Sequence, residues 1–241
     1  AYRAARALQK LAAAGPWAQT AAGVSIHVDK RIPIAGGMAG GSADAAAALV
    51  ACNQLWGLGL TLEQLCQIGR TLGADVPACI MGGMTLGQGR GDRLTSLLDP
   101  DQSLWPCHYW VMARAHHGLS TPEVFRTLDQ LREGGVPAQL SDAERAALCA
   151  DADTLASVLC NDLTAPALHL YPELATTIHD AKDAGACAAI LSGSGPTIAV
   201  LARDSKHADE LAEALRTSSE VSAVLPTFGP TVGAIVEEEE S

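Results

Sequence analysis

The spacing of apolar residues along the chain predicts a series of helices. Apolar residues three apart at Ala5, Leu8 and Leu11 predict a helix over Tyr2–Ala14, which Gly15-Pro16 ends. Similar patterns predict further helices at Ala43–Leu55, Thr61–Ile68, Pro122–Arg132, Ser141–Leu148, Pro172–Ala184 and His207–Leu215.

Strands are predicted where apolar and polar residues alternate, or where short apolar runs lie between turns. Val24, Ile26 and Val28 alternate with polar neighbours, as in a half-buried strand. The other extended segments are predicted at Ala78–Leu86, Trp110–Ala113, Ala186–Leu191, Thr197–Leu201, Val221–Leu225 and Val232–Val236. This mixture predicts an α+β protein. Because the helices lengthen after His117, we expect one domain over residues 1–115, a second over 116–236 and an acidic tail over 237–241.

Composition narrows the range of partners. The net charge of −11 comes from 16 basic and 27 acidic residues, so nucleic acid is not expected as a general partner. The seven cysteines are odd in number and form no CxxC pair, which predicts reduced thiols in a cytoplasmic protein. No apolar run is long enough to span a membrane. Since Ala1 already lies inside a helical pattern, we expect the sequence to be cut from a longer one.

The segment from Pro33 to Ala45 carries the strongest chemical signal. Four of its residues, Gly36, Gly37, Gly40 and Gly41, precede a predicted helix. Glycine lets the backbone approach a ligand closely, and the helix start offers free N–H groups, so the segment suits a phosphate. It fits neither GxxxxGK[ST] nor GxGxxG. A Gly-rich turn needed only for helix packing is an equally good reading of its composition.

The segment Leu72-Gly-Ala-Asp-Val-Pro77 is a second candidate site. Pro77 favours an extended conformation at Val76, so Asp75 is expected to project from a stiff segment between a helix and a strand. A carboxylate held in this way is a candidate general base. Taken alone, a turn or helix-end role for Asp75 is the better reading.

Together these two strings resemble motifs of the GHMP kinases, whose phosphate loop reads Pro-x-x-x-Gly-Leu-Gly-Ser-Ser before a helix. The Gly-Gly form followed by Ser-x-Asp-Ala-Ala is similar to members that phosphorylate 4-diphosphocytidyl-2-C-methyl-D-erythritol. Met38-Ala39 and Ala43 depart from the common pattern. The resemblance implies that ATP is bound by Pro33, Ile34, Ala35, Gly36, Gly37, Met38, Ala39, Gly40, Gly41, Ser42 and Ala43. It also makes Ser42 a candidate Mg²⁺ contact, with no dedicated metal site, and leaves Asp44 a structural role at the helix start.

By the same resemblance, Asp75 accepts or orients the proton of the substrate hydroxyl during phosphoryl transfer. The family pairs this Asp with a Lys from an early strand. Lys10 and Lys30 lie in the wrong sequence contexts for that role, so we expect low activity from this polypeptide. The implied fold has two α+β domains with the active site between them, the first like ribosomal protein S5 and incomplete at its start, the second ferredoxin-like.

Weaker similarities lie downstream. Gly118 to Phe125 resembles a family segment in which Thr121 contacts the substrate and Phe125 stacks on its cytosine; a helix N-cap and ordinary helix packing are the alternatives. Gly193, Ser194 and Gly195 resemble a third family motif, a turn that is expected beside the phosphate loop, although a plain hairpin turn also fits. Asn161-Asp162 resembles a structural pair of the family.

The resemblance therefore implies an ATP- and Mg²⁺-dependent kinase, monomeric or homodimeric, that phosphorylates the 2-hydroxyl of a cytidine diphosphate conjugate of a sugar alcohol. That reaction belongs to the non-mevalonate (methylerythritol phosphate) route to isoprenoids. Two other functions stay open at this point. One is another GHMP kinase of small molecules, such as a homoserine or mevalonate kinase, and the other is a nucleotide-binding module without catalysis.

Overall fold

The computed structural model describes residues 1–21, 23–34, 36–98, 106–132 and 139–237. The chain forms two compact units. The first consists of residues 1–32, 39–102 and 231–241, and the second of residues 33–38 and 103–230. This division differs from the expected boundary at residue 115, because His108–Ala115 is an inner strand of the second unit's sheet. In addition, residues 33–38 belong to the second unit and residues 231–241 belong to the first.

The first unit is mainly helical. Its elements are α1 (Tyr2–Ala13), α2 (Gly40–Leu55), α3 (Leu62–Leu72), α4 (Val76–Met81), β1 (Thr85–Gln88) and β2 (Arg93–Ser96). The predicted first helix is confirmed, and it buries Ala4, Ala5, Leu8 and Ala12 along one face. A capping box starts α3, since the Thr61 hydroxyl accepts from Gln64 N at 3.2 Å and Thr61 N donates to Gln64 at 2.8 Å. Helices α1 to α4 pack around one apolar core.

Three predicted extended segments of this unit are wrong. Residues 23–30 form no strand with any described part of the chain, and Val24, Ile26 and Val28 are about two-fifths exposed (39%, 42% and 44%). Alternation alone does not make a strand, because a strand also requires a ladder partner. Val232–Val236 contributes one isolated bridge, between Val232 and Gly82.

The third error concerns the residues after Asp75. Val76–Met81 is a helix rather than an extended segment. The steric preference that Pro77 imposes on Val76 is overridden here, because Pro77 lies in the first helical turn, where its missing N–H has no helical partner to lose. Burial of Val76 and Ile80, each 2% exposed, favours the helix further.

The second unit is a four-stranded antiparallel sheet with helices. Its strands are β3 (His108–Ala115), β4 (Ala188–Leu191), β5 (Thr197–Ala202) and β6 (Val221–Gly229), in the order β4-β5-β3-β6. Its helices are α5 (Thr121–Leu131), α6 (Asp142–Leu148), α7 (Ala152–Ala156), α8 (Thr164–Leu170), α9 (Leu174–Asp183) and α10 (Ser205–Leu215). The chain order of strands and helices, with this sheet order, confirms the expected ferredoxin-like arrangement.

The core of the second unit lies between the sheet and its helices. Val111, Ile198 and Val200 from the two central strands are fully buried, as are Leu211 of α10 and Leu174 of α9 to within 1%. All six residues of β5 are buried. The turn between β4 and β5 is therefore attached to the most completely buried strand of the sheet.

No helix within the described ranges is both long and apolar enough to cross a membrane.

Candidate functional site

The Gly-rich segment leads directly into α2. The helix begins at Gly40, and its N-cap residue Ala39 has φ 50° and ψ 22°, the left-handed conformation. Ser42 N and Ala43 N both donate to Ala39 O at 2.9 Å. No side chain of the described residues caps the helix. The first N–H groups of α2 are thus available to an anion, where the helix dipole also favours negative charge.

Lys30 lies at the start of α2, although its sequence context did not suggest a place there. Its Nζ donates to Asp44 Oδ2 at 2.9 Å, and a Cβ added to Gly40 would lie only 2.9 Å from the same Nζ. The ammonium group therefore lies against the first residue of α2. A Lys three residues before Pro33, the first residue of the Gly-rich segment, was the available signal. What the sequence did not show is that the chain folds back over the helix start.

Asp44 has a structural role that differs from the expected one. Because α2 begins at Gly40 rather than at Ala43, Asp44 lies beyond the first turn of the helix. Its carboxylate pairs with Lys30, and both side chains are 27% exposed. The pair holds Lys30 at the helix start rather than complementing the dipole directly.

The first two motifs adjoin each other within the first unit. A Cβ added to Gly73 would lie 3.8 Å from Ser42 Oγ and 3.5 Å from Val76 Cγ2. Asp75, two residues later, is the N-cap residue of α4, is exposed, and makes no side-chain capping bond among the described residues. The Asp75 carboxylate is thus exposed and available to a ligand, and Gly73 of the same segment lies close to Ser42.

The charge of Asp75 reaches the thiol of Cys79, one helical turn further along. Burial raises the pKa of the Cys79 thiol, and the nearby Asp75 carboxylate raises that pKa further. Cys79 N also donates to Asp75 O at 3.1 Å. Cys79 is therefore a natural reporter of the charge on Asp75.

The third motif contacts the first half of the Gly-rich segment within the second unit. Ser192 Oγ donates to Gly37 O at 2.9 Å. Gly37 has φ +70°, and a Cβ there would lie 2.3 Å from Ser192 O, so only glycine fits. Gly193 and Gly195 lie beside Gly37, since an added Cβ at Gly193 would be 3.2 Å from Gly37 O and an added Cβ at Gly37 would be 2.8 Å from Gly195 O; a role of Gly193, Ser194 and Gly195 in binding stays a prediction. The segment is also the turn between β4 and β5, so the two readings of the sequence are compatible.

Asn161 hydrogen-bonds the backbone of that turn. Its Nδ2 donates to Leu191 O at 2.9 Å and to Gly193 O at 2.8 Å, while its Oδ1 accepts from Leu163 N at 2.9 Å. The structural role expected for Asn161 is confirmed by these bonds. Asp162 pairs with Arg132 at the end of α5.

The two weaker substrate candidates share one end of α5. Thr121 Oγ1 hydrogen-bonds Ser194 Oγ at 2.7 Å, which joins α5 to the third motif. Ser120 is the N-cap residue, so the N-cap alternative for Thr121 is wrong. Phe125 lies one turn later and is 50% exposed, so helix packing does not account for it. Residues four apart share a helix face, which places Phe125 beside Thr121.

For the remaining candidate residues of the Gly-rich segment that the structure describes, it gives position or exposure but no contact with a ligand site. Pro33 and Met38 belong to the second unit's part of the loop, Ile34 is 79% exposed, and Ala35 lies outside the described residues. Within the described ranges, no three His, Cys, Asp or Glu side chains are grouped as metal ligands.

Comparisons with known proteins agree with these motifs. Residues 1–83 match the family description "GHMP kinases N terminal domain", and residues 145–220 match "GHMP kinases C terminal". The 4-diphosphocytidyl-2-C-methyl-D-erythritol kinase of Streptomyces coelicolor is 47% identical over 218 residues, which cover 88% of this chain and 71% of that protein. The enzyme of that name from Thermobifida fusca is 48% identical over 217 residues, covering 90% and 69%.

Solved structures match as well. A crystal structure of 4-(cytidine 5'-diphospho)-2C-methyl-D-erythritol kinase superposes with a TM-score of 0.75 at 32% identity, covering 94% of this chain and 76% of that one. A homoserine kinase from Cytophaga hutchinsonii gives a TM-score of 0.58 at 21% identity, covering 85% and 69%, and shares the fold alone.

Proposed function

This chain belongs to the GHMP kinase family, and we propose that it transfers the γ-phosphoryl group of ATP to the 2-hydroxyl of 4-diphosphocytidyl-2-C-methyl-D-erythritol. The 42–48% identity to kinases named for that substrate supports the choice within the family. The arrangement of residues at the start of α2 supports the proposal most directly. A helix start with free N–H groups lies against the Lys30 ammonium group and close to Gly73 of the Asp75 segment.

The triphosphate is proposed to bind at the start of α2. The N–H groups of Gly40 and Gly41 would meet phosphate oxygens, and Lys30 would neutralise part of the added charge. The bare backbone at Gly41, where an added Cβ would meet nothing within 4 Å, leaves room for that approach.

Mg²⁺ is proposed to arrive as part of MgATP. It would be held mainly by phosphate oxygens, as is usual for Mg²⁺ at nucleotide sites. Ser42 Oγ, in the first turn of α2, is a hard oxygen ligand of the kind that Mg²⁺ accepts.

In the chemical step, the substrate's 2-hydroxyl oxygen attacks the γ-phosphorus. A new P–O bond forms as the bond from the γ-phosphorus to the bridging oxygen of ADP breaks. The hydroxyl proton passes to the Asp75 carboxylate. Its exposure at the start of α4 supports this role, because no described residue hydrogen-bonds its carboxylate oxygens. The low turnover expected of this polypeptide stays a prediction.

The cytidine end of the substrate is proposed to bind at α5. Phe125 offers an exposed ring on which cytosine would stack, and the Thr121–Ser194 hydroxyl pair offers a donor and acceptor beside it. We also propose that the protein works in the cytoplasm on the methylerythritol phosphate route to isoprenoids, as a monomer or homodimer.

The test is a substrate panel. The protein is incubated with MgATP and 4-diphosphocytidyl-2-C-methyl-D-erythritol, homoserine or mevalonate, and products are identified by ³¹P NMR and mass spectrometry. We expect a new phosphomonoester on the cytidine substrate alone, formed slowly because low turnover is expected of this polypeptide. Phosphorylation of homoserine or mevalonate instead would change the substrate assignment. Tight MgATP binding without any product would indicate a binding module.

A further inference from the structure

Thr197 has a buried hydroxyl that lacks a hydrogen-bond partner. The residue begins β5 and is 0% exposed, and no described atom pairs with its Oγ1. Its backbone is part of the sheet, because Thr197 O accepts from Ser192 N at 2.8 Å and the residue is in register with Arg114. Buried polar side chains are nearly always paired, so this exception requires an explanation.

The neighbouring hydroxyls of the same turn are all engaged. Ser192 Oγ donates to Gly37 O, and Ser194 Oγ pairs with Thr121 Oγ1. The unpaired Thr197 Oγ1 lies close to Gly36, since a Cβ added to Gly36 would be 3.7 Å from this oxygen. Gly36 is itself buried and belongs to the Gly-rich segment. The hydroxyl therefore lies close to the backbone of the segment that the proposed function assigns to ATP.

We propose that Thr197 is a positioning residue, whose hydroxyl hydrogen-bonds a main-chain group of Gly36 when nucleotide binds to the Gly-rich segment. This inference rests on the proposed function. In this structure the hydroxyl is buried without a hydrogen-bond partner, which is unfavourable. A loop conformation that supplies its partner recovers that free energy. Nucleotide binding and the Thr197 hydrogen bond are thus coupled, and each favours the other.

Thr177 provides a matched control. It is 1% exposed in α9, and its Oγ1 also lacks a partner among the described residues. Unlike Thr197, it lies outside both the turn and the Gly-rich segment. Thr177→Val and Thr197→Val remove the same hydroxyl from equally buried positions, so a difference between them reports on the loop.

The experiment measures both variants, with Thr197→Ser as the conservative replacement, by thermal unfolding and by calorimetry. The probe is β,γ-imido-ATP with Mg²⁺. Without nucleotide, we expect both Val variants to unfold roughly 2–4 °C higher than wild type, because an unpaired buried hydroxyl is gone. With nucleotide, only Thr197→Val should lose affinity, by about fivefold, the equivalent of one ordinary hydrogen bond. Thr197→Ser should retain wild-type affinity.

Two results would overturn the coupling. One is a nucleotide affinity of Thr197→Val equal to that of wild type and Thr177→Val. The other is a lower unfolding temperature of ligand-free Thr197→Val, which would mean that the hydroxyl is already paired. Failure of the proposed function looks different, since wild-type protein would then not bind the probe at all, and the coupling would fall with it.

Discussion

The Lys30 ammonium group lies 2.9 Å from the Asp44 carboxylate, although the two residues are 14 positions apart and belong to different segments of the first unit. The pair holds a positive charge against Gly40, at the start of α2. We predict that Lys30→Gln weakens binding of MgATP analogues by roughly tenfold or more, the usual value of a charged hydrogen bond.

The matched control for that loss is Lys10→Gln, which removes the same charge from the exposed side of α1. Its affinity should stay at the wild-type level in calorimetry at the same ionic strength. Equal losses of nucleotide affinity in the two variants would indicate a general effect of charge, and would contradict a specific role for Lys30 in nucleotide binding.

Gly40 and Gly41 are predicted to respond differently to substitution. A Cβ at Gly40 would lie 2.7 Å from Ile32 Cγ2, whereas a Cβ at Gly41 would meet nothing within 4 Å. Gly41→Ala should therefore keep or raise the unfolding temperature, because alanine favours a helix by about 1 kcal/mol over glycine. It should still weaken nucleotide binding, since the methyl group occupies the approach to the free N–H groups. Gly40→Ala should lower the unfolding temperature. An unchanged nucleotide affinity of Gly41→Ala would exclude this face of the helix.

Asp75 is predicted to act in turnover rather than in binding. Asp75→Asn keeps the size and hydrogen-bonding reach of the side chain but cannot accept the proton. We expect kcat to fall roughly 10²–10⁴-fold with little change in KM, the usual effect of losing a general base. The measurement is steady-state product formation compared with wild type. A change confined to KM would contradict the catalytic role.

The same variant should change the titration of Cys79. The Asp75 carboxylate disfavours the Cys79 thiolate and so raises the pKa of the thiol. Removing that charge lowers the pKa, so more thiolate forms at any given pH below it and alkylation becomes faster. The alkylation rate of Cys79 against pH, followed by mass spectrometry of peptides, should shift towards lower pH in Asp75→Asn.

Cys66 is the internal control for that shift. The pKa of its thiol is raised by burial and altered by Arg70 and Glu63, so its alkylation curve should not move when Asp75 is replaced. A parallel shift of both thiols would indicate general loosening of the unit instead of a charge effect.

Phe125 is predicted to bind the cytosine ring. Phe125→Ala should weaken binding of cytidine 5'-diphosphate by roughly tenfold, since stacking of a base on an aromatic ring contributes about 1–3 kcal/mol. Leu131→Ala is the control, because Leu131 is an equally exposed apolar residue of the same helix, at 51%. If both variants bind cytidine 5'-diphosphate as wild type does, the base binds elsewhere.

The local features of this protein were determined by the sequence itself. Helix α3 starts at its Thr61–Gln64 capping box, and α2 follows the Gly-rich segment as its alanine content predicts. Both depend on residues that lie close together in the chain, so the pattern is visible in the sequence itself. The motif strings that identify the family are local in the same way.

Other features were decided only by the tertiary structure. The bond from Ser192 to Gly37 joins residues 155 positions apart, and Lys30 meets Asp44 because the chain folds back over α2. Asp75 begins a helix because Val76 and Ile80 are buried there, despite the preference imposed by Pro77. Val24 to Val28 shows the converse, since its alternation finds no described ladder partner. Each outcome depends on which distant surfaces meet, and burial and pairing between them outweigh local propensities of about 1 kcal/mol or less per residue.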